Sequence, residues 1–274
     1  MAIRVVLWRS ALLTSEASPR TPSTVQHAPH CGPSPGDRVC EHALGITAAP
    51  RYRQWEYELV APHLGGSVLE IGSGMGHFSE KLIESRRDRL VLSDTDERSL
   101  DHLRQRFGNL PSVEIAEITL PGRLDIGRPV DSVVAMNVLE HIEDDVQALR
   151  DLAAVVWPGG RIILWVPAYM QLYGDFDRTV GHFRRYTPTT MHAAIEGAGL
   201  RVQHMRRVNM LGAVAWWIAV RAGRARRADS RLVWLYDNLL IPVSRLIEAV
   251  VPPPFGQSLL CVAEVVPLTE TRRR

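Results

Sequence analysis

Three groups of residues in this chain have types and spacings that could do chemistry. The first is Glu70-Ile71-Gly72-Ser73-Gly74-Met75-Gly76, with Asp94 and Thr95 starting 18 residues after Gly76. Three glycines in five positions allow a tight turn and let backbone approach a ligand with no Cβ between them. The spacing is GxGxG, and the position a dinucleotide turn would give to its last glycine is His77. Glu70 would repel a pyrophosphate but suits a cation. The ligand implied carries positive charge and no phosphate. The alternative is a turn that binds nothing.

The second group is Asn137, Glu140 and His141, in the run Met136-Asn137-Val138-Leu139-Glu140-His141-Ile142. Histidine titrates near neutrality, so His141 could act as a general base. Its alternative, shared with Glu140, is a set of helix-end hydrogen bonds. The third group is Asp177, His182, Arg184, Arg185 and Tyr186, packed into ten positions. It offers acid, base and anion-binding groups, and arginine forks suit carboxylate or phosphate. Substrate contact and a salt-bridged lid are the two readings of this group.

Hydrophobic patterning supplies elements to position these groups. Val68, Leu69 and Ile71 read as a buried strand, followed by a helix from Ser79 to Arg87. Leu90–Asp94 is a second strand and Glu97–Phe107 a helix, with Asp94 at the strand tip. Asp94 there could accept hydrogen bonds from two ribose hydroxyls, or cap the next helix, a role open also to Thr95 and Asp96. Residues 113–118 read as a third strand and 133–135 as a fourth, with Asn137 at its carboxyl end, where open α/β sheets bind ligands. Leu139-Glu140-His141 is expected to run directly into a helix with Val146, Leu149, Leu152 and Val156 on its apolar face. Residues 157–160 then form a turn and 161–168 a fifth strand; Gly174–Asp177 reads as a loop. Thr187-Pro188 starts a helix that Gly197 and Gly199 end. Upstream, residues 50–65 read as a helix on which Tyr52 and Trp55 share a face, either covering a ligand or packing in the core.

Residues 68–79 closely resemble motif I of the class I S-adenosylmethionine-dependent methyltransferases, and residues 129–145 resemble the region after strand four in their small-molecule members. The resemblance implies a Rossmann-like, doubly wound seven-stranded α/β sheet and S-adenosyl-L-methionine as cofactor. It implies cofactor contacts from Tyr52, Glu70, Gly72, Ser73, Gly74, Gly76, Asp94, Thr95 and Asn137, with Glu117 and Ile118 near the adenine. His141 and His182 are the candidate catalytic bases. Glu140, Asp177, Arg184, Arg185 and Tyr186 are the candidate substrate contacts. In ubiquinone-type O-methyltransferases a glutamate three residues before the Glu-His pair joins it on a divalent metal. That position is Asn137 here, so no metal is expected. The block Gly181-His182-Phe183-Arg184-Arg185-Tyr186 resembles one in bacterial methyltransferases that often occur beside glycosyltransferases acting on polyprenyl-linked sugars. A small-molecule or lipid-linked acceptor, methylated on oxygen, is the expected substrate, with N- or C-methylation of a biosynthetic intermediate and a non-catalytic S-adenosylmethionine-binding protein as the alternatives.

Composition sets the remaining bounds. The net charge of +2 is too small to argue for nucleic acid, and the run Asn137–Ile142 lacks the Asn-Pro-Pro-aromatic motif of base methylation. Three cysteines make no disulfide framework, and the expected location is cytoplasmic. Residues 1–48, rich in proline, serine and threonine, read as a loosely attached leader; 49–168 as the cofactor-binding core; 169–267 as lid, helical insertion and final strands; and 268–274 as a frayed tail. His27, His30, Cys31, Cys40 and His42 match no standard zinc spacing. Within 208–250, apolar and aromatic runs flank an arginine cluster at 221–231. These could form a lid, an interface between copies, or a peripheral membrane contact.

Overall fold

The computed structural model describes residues 49–221 and 230–266. The leader at 1–48, its histidines and cysteines, and the tail therefore lie outside the described residues. A seven-stranded sheet runs in the order β3-β2-β1-β4-β5-β7-β6. Its strands are β1 (Ser67–Ile71), β2 (Arg89–Asp94), β3 (Val113–Glu117), β4 (Val130–Met136), β5 (Val156–Pro167), β6 (Arg201–Val208) and β7 (Ser258–Glu264). β1 to β5 are parallel, whereas β7 is antiparallel to both β5 and β6. The strand order reverses between β1 and β4, which places a crevice at their carboxyl ends.

Central strands are apolar on both faces because helices cover both faces. Leu69, Val133 and Ile162 point into one core layer; their neighbours Val68, Val134 and Ile163 point into the other. The first layer is closed by α4 (Asp145–Ala153) and α6 (Pro188–Gly197), the second by α1 (Pro50–Val60), α2 (His77–Glu84) and α3 (Glu97–Phe107). Thr187 caps α6 by accepting from the Thr190 amide, with Pro188 at its first position.

Three local expectations are corrected. Leu139–His141 is a separate 3₁₀ turn, and α4 restarts at Asp145 because Asp144 caps it by accepting from the Gln147 amide. Gly174–Asp177 is not an open loop, since a short helix, α5, runs from Asp175 to Thr179. Trp157–Gly160 lies inside β5, where the pairing with β4 jumps from Val130–Val156 to Ser132–Arg161. The four residues are a bulge held to β7's end by hydrogen bonds between Gly159, Gly160 and Val265.

After β6, α7 (Met210–Arg221) is followed by α8 (Ser230–Leu235), a π-helical turn at Tyr236–Leu240, and α9 (Ile241–Val250). The π turn serves α1. That helix has no side-chain cap of its own at Ala49, and Asp237 supplies one from 185 residues away by accepting from the Arg51 and Tyr52 amides at 3.1 and 2.9 Å. Asp237→Ala is expected to cost about 1–2 kcal/mol in urea denaturation, with Asp237→Asn recovering most of it.

Candidate active site

The glycine turn leaves β1 with Gly72, Gly74 and Gly76 all at positive φ (68°, 52° and 77°). Gly72 also has no room for a side chain: a Cβ there would lie 2.6 Å from Val138 Cγ2. The turn is tied to β2. Ser73 donates its amide to the Ser93 carbonyl at 2.8 Å, and the Gly74 amide donates to Asp94 Oδ2 at 2.7 Å. Asp94 Oδ1 accepts from the Thr95 and Asp96 amides. Capping of α3 falls to Asp96, which accepts from the Ser99 amide, so Asp94 is released from that role. Burial raises the Asp94 carboxyl above its ordinary value, opposed by these backbone donors.

Glu70 is buried and accepts from Ser79 Oγ at 2.5 Å, a partner at the start of α2 that the motif alone did not signal. Burial pushes its pKa up to about 7 despite hydrogen bonds from Ser79 and Ser73. Ser73 is buried, Thr95 and Glu117 are exposed, and Ile118 is buried with its amide on the Asp94 carbonyl. Asn137 ends β4 in the left-handed region (φ 53°), which asparagine tolerates, and is exposed. Tyr52 lies in the second core layer, edge-on to Trp55 and Trp165, while its hydroxyl is 3.4 Å from Ser258 Oγ beside the carboxyl end of β5.

The second and third groups of residues converge, although 36 positions separate His141 from Asp177. The Phe183 amide donates to the Glu140 carbonyl, which seats the Gly181–Tyr186 block on the 3₁₀ turn. His141 and His182 stand edge-to-face, with ring centroids 4.5 Å apart. His182 Nδ1 lies 2.9 Å from Asp177 Oδ1, an acceptor-only carboxylate oxygen, and Nε2 lies 3.9 Å from Glu140 Oε1. Among the described residues neither Glu140 oxygen has a hydrogen-bond partner, nor does His182 Nε2, and all three atoms are buried. Ligand atoms of Glu140, His141 and His182 lie within 4.8 Å of one another, so this set could hold a cation among the described residues.

Burial sets the charges here. It pushes the Glu140 carboxyl up to about 8 and the His141 imidazole down to about 4, the second helped by His182. Burial also raises Asp177, but hydrogen bonds from His182 and the Arg185 guanidinium outweigh it and hold Asp177 below its ordinary value. Arg185 grips Asp177 with Nε at 2.7 Å and a second nitrogen at 3.1 Å, and lies 5.5 Å from the Trp216 ring centroid. Trp216, legible in sequence only as part of the apolar run after residue 208, donates to the Leu172 carbonyl and packs on Phe176.

The three groups offered as substrate contacts on the basic block have partners within the chain. Arg184 pairs with Asp145 at 2.7 Å and donates to the Glu143 carbonyl. Tyr186 is buried and donates to the same Asp145 at 2.8 Å. Arg185 is taken by Asp177. Anion-binding forks meet the fold's own carboxylates, because the block's first task is to fasten β5's extension to α4. Asp145 gave no signal in sequence beyond its place in an acidic run.

Comparison with known proteins joins this geometry at the same stretch. Residues 69–162 match a methyltransferase domain. They run from β1 through the glycine turn, Asp94 and the Glu140–His141 turn into β5. Two mycobacterial proteins named as S-adenosylmethionine-dependent methyltransferases are similar. The one from Mycolicibacterium smegmatis is 30% identical over 51% of this chain and 53% of its own length. The one from Mycobacterium tuberculosis H37Rv is 32% identical over 48% and 47%. The chain spans about half the length of the curated relatives it matches. Among solved structures, the CcbJ methyltransferase of Streptomyces caelestis has a TM-score of 0.55 at 15% identity, covering 85% of this chain and 98% of that one. An S-adenosylmethionine-dependent methyltransferase of Mesorhizobium loti gives 0.54 at 15% identity, covering 77% and 97%. The fold is that of the class I Rossmann-like methyltransferases.

Proposed function

We propose that the protein is an S-adenosylmethionine-dependent methyltransferase acting on the hydroxyl of a small-molecule or lipid-linked acceptor. The observation that carries this reading is the cluster of unpartnered Glu140 and His182 atoms on the turn after β4, the neighbour of β1, whose own glycine turn is tied to Asp94 at the end of β2. The glycine turn fits the cofactor. Bare backbone at Gly72 and Gly74 can lie against it, and Asp94 has one acceptor site left for a ribose hydroxyl. When bound, the cofactor supplies an already activated methyl group.

The chain's own task is to align the acceptor, exclude water and receive its proton. His182 is the receiving base: Asp177 fixes its Nδ1–H tautomer and stabilises the imidazolium, and Nε2 takes the proton from the acceptor oxygen. His141, neutral at pH 7 and the more exposed ring, orients the acceptor beside it. Because Nε2 is shielded from solvent, segment 175–186 opens to admit the acceptor. N- or C-methylation would need no such base, so a His182→Ala variant with undiminished turnover would favour those chemistries.

Calorimetric titration of S-adenosylmethionine and S-adenosylhomocysteine tests the foundation. Binding in the micromolar range is expected, with Asp94→Ala weakening it by about 100-fold and NAD giving none. No binding by the folded wild type would make the glycine turn structural and end the enzyme reading.

A further inference from the structure

The helices after β6 are turned inside out. In an ordinary surface helix the apolar stripe faces the core and the polar side faces water. In α9 the buried side chains include Ser244 and Glu248, with Glu248 only 5% exposed, whereas Leu246 and Val250 are 72% and 79% exposed. Val243 and Ile247 extend the same stripe at helical spacing. The π turn before it buries Asp237 and exposes Leu239, and α8 exposes Leu232 and Trp234, the latter at 64%. On α7, Trp217 and Ile218 are exposed as well.

Polar anchors fix this orientation. Asp237 caps α1, Glu248 accepts from the Asn209 and Met210 amides at 3.3 and 2.8 Å, and Arg245 pairs with Glu58. Rotating α9 to hide Leu246 and Val250 would break the Glu248 and Arg245 contacts. The exposed apolar face is therefore part of the folded state.

We infer that this face of α7–α9 docks on an anionic membrane surface. Two observations choose that occupant. The segment joining α7 to α8, residues 221–231, carries five arginines and one aspartate, which complements acidic headgroups. Tryptophans amid aliphatic side chains suit the boundary between headgroups and acyl chains. No described helix is long and apolar enough to cross a membrane, so the helices lie on the surface. Continuity with the candidate site adds to this: Trp216 packs by Arg185 while its neighbour Trp217 is on the exposed face. A lipid-linked acceptor would thus be met where its anchor resides. The docking itself rests on the helix pattern and not on the reaction.

The test is co-sedimentation of the full chain with vesicles of phosphatidylcholine alone and of phosphatidylcholine with about one third phosphatidylglycerol, alongside sedimentation equilibrium without lipid. Partitioning is expected to be at least about tenfold stronger on the anionic vesicles and to weaken at high salt. Leu246→Glu/Val250→Glu should abolish it while leaving S-adenosylhomocysteine affinity and melting temperature unchanged, because both side chains are exposed. A lipid-free dimer dispersed by the same double substitution, with no vesicle binding, would give the face to a second copy and overturn the proposal. A monomer that ignores both vesicle types would overturn it too. If vesicles bind while the cofactor does not, only the enzyme reading falls.

Discussion

Asp177→Asn is expected to destabilise the protein by about 3–5 kcal/mol, the range for breaking a buried ion pair by removing one partner. Asp177 is fully buried and accepts from His182 Nδ1, from both prongs of Arg185, and from the Gly174 amide. The asparagine amide keeps the shape but leaves Arg185 as an uncompensated buried cation under Trp216. It also presents an N–H toward one of its former donors. Urea denaturation gives the magnitude. A loss under 1 kcal/mol would mean that the pair is solvated and weakly coupled. Because several partners hold Asp177 below its ordinary pKa of 3.8, its contribution is fully present above that value. It is lost as pH falls through the depressed folded value, so wild type and variant should converge in strong acid and not between pH 5 and 8. An Asp177→Asn/Arg185→Met double variant should recover part of the loss, since the orphaned charge is gone. S-adenosylhomocysteine affinity should stay within a few-fold in every variant still folded. Catalysis should remain low even in the double variant, because no carboxylate fixes the His182 tautomer.

The geometry of the glycine-turn half of the candidate site was legible in sequence for a physical reason. Its residues lie on one strand–turn–helix unit plus the tip of the next strand, so spacing along the chain is nearly spacing in space. The glycine turn and the strand ending at Asp94 follow from local chemistry and apolar period, and the seven-stranded sheet was implied by the resemblance to class I methyltransferases. The acceptor half depends on contacts that sequence does not order. Asp145 binds Arg184 and Tyr186 from about 40 positions away, and Asp237 caps α1 from 185. An arginine fork's preference for carboxylate was readable; which carboxylate it meets was not. The same limit hid the orientation of α9. Its period announced an amphipathic helix, but only the tertiary partners Asn209, Met210 and Glu58 determine that the polar side faces inward.

Glu140→Gln is expected to do the opposite of Asp177→Asn, stabilising the fold while removing activity. Both Glu140 oxygens are buried without partners, and burial lifts the carboxyl from 4.5 to about 8. Below pH 4.5 the group is neutral in folded and unfolded chains and contributes nothing to the pH slope. Between 4.5 and about 8 the unfolded chain has released the proton and the folded chain retains it, so stability falls as pH rises. Above about 8 the penalty is complete. Glu56 and Glu70, raised to about 8 and about 7, slope the same way, so the difference between wild type and variant isolates Glu140. That difference should widen from pH 5 to pH 8 and reach roughly 2–4 kcal/mol in favour of glutamine. The amide N–H can also approach the lone pair of His182 Nε2, and unlike the O–H of the neutral Glu140 carboxyl it cannot be lost as pH rises. A donor that never leaves is what should end methyl transfer: the nitrogen meant to receive the acceptor's proton would stay occupied. Stability gained with turnover lost identifies a group retained for the reaction at the expense of the fold. A glutamine variant that unfolds more easily at pH 8 would instead mean that the carboxylate is ionised and held by a partner such as a cation, and would make Glu140 a structural ligand.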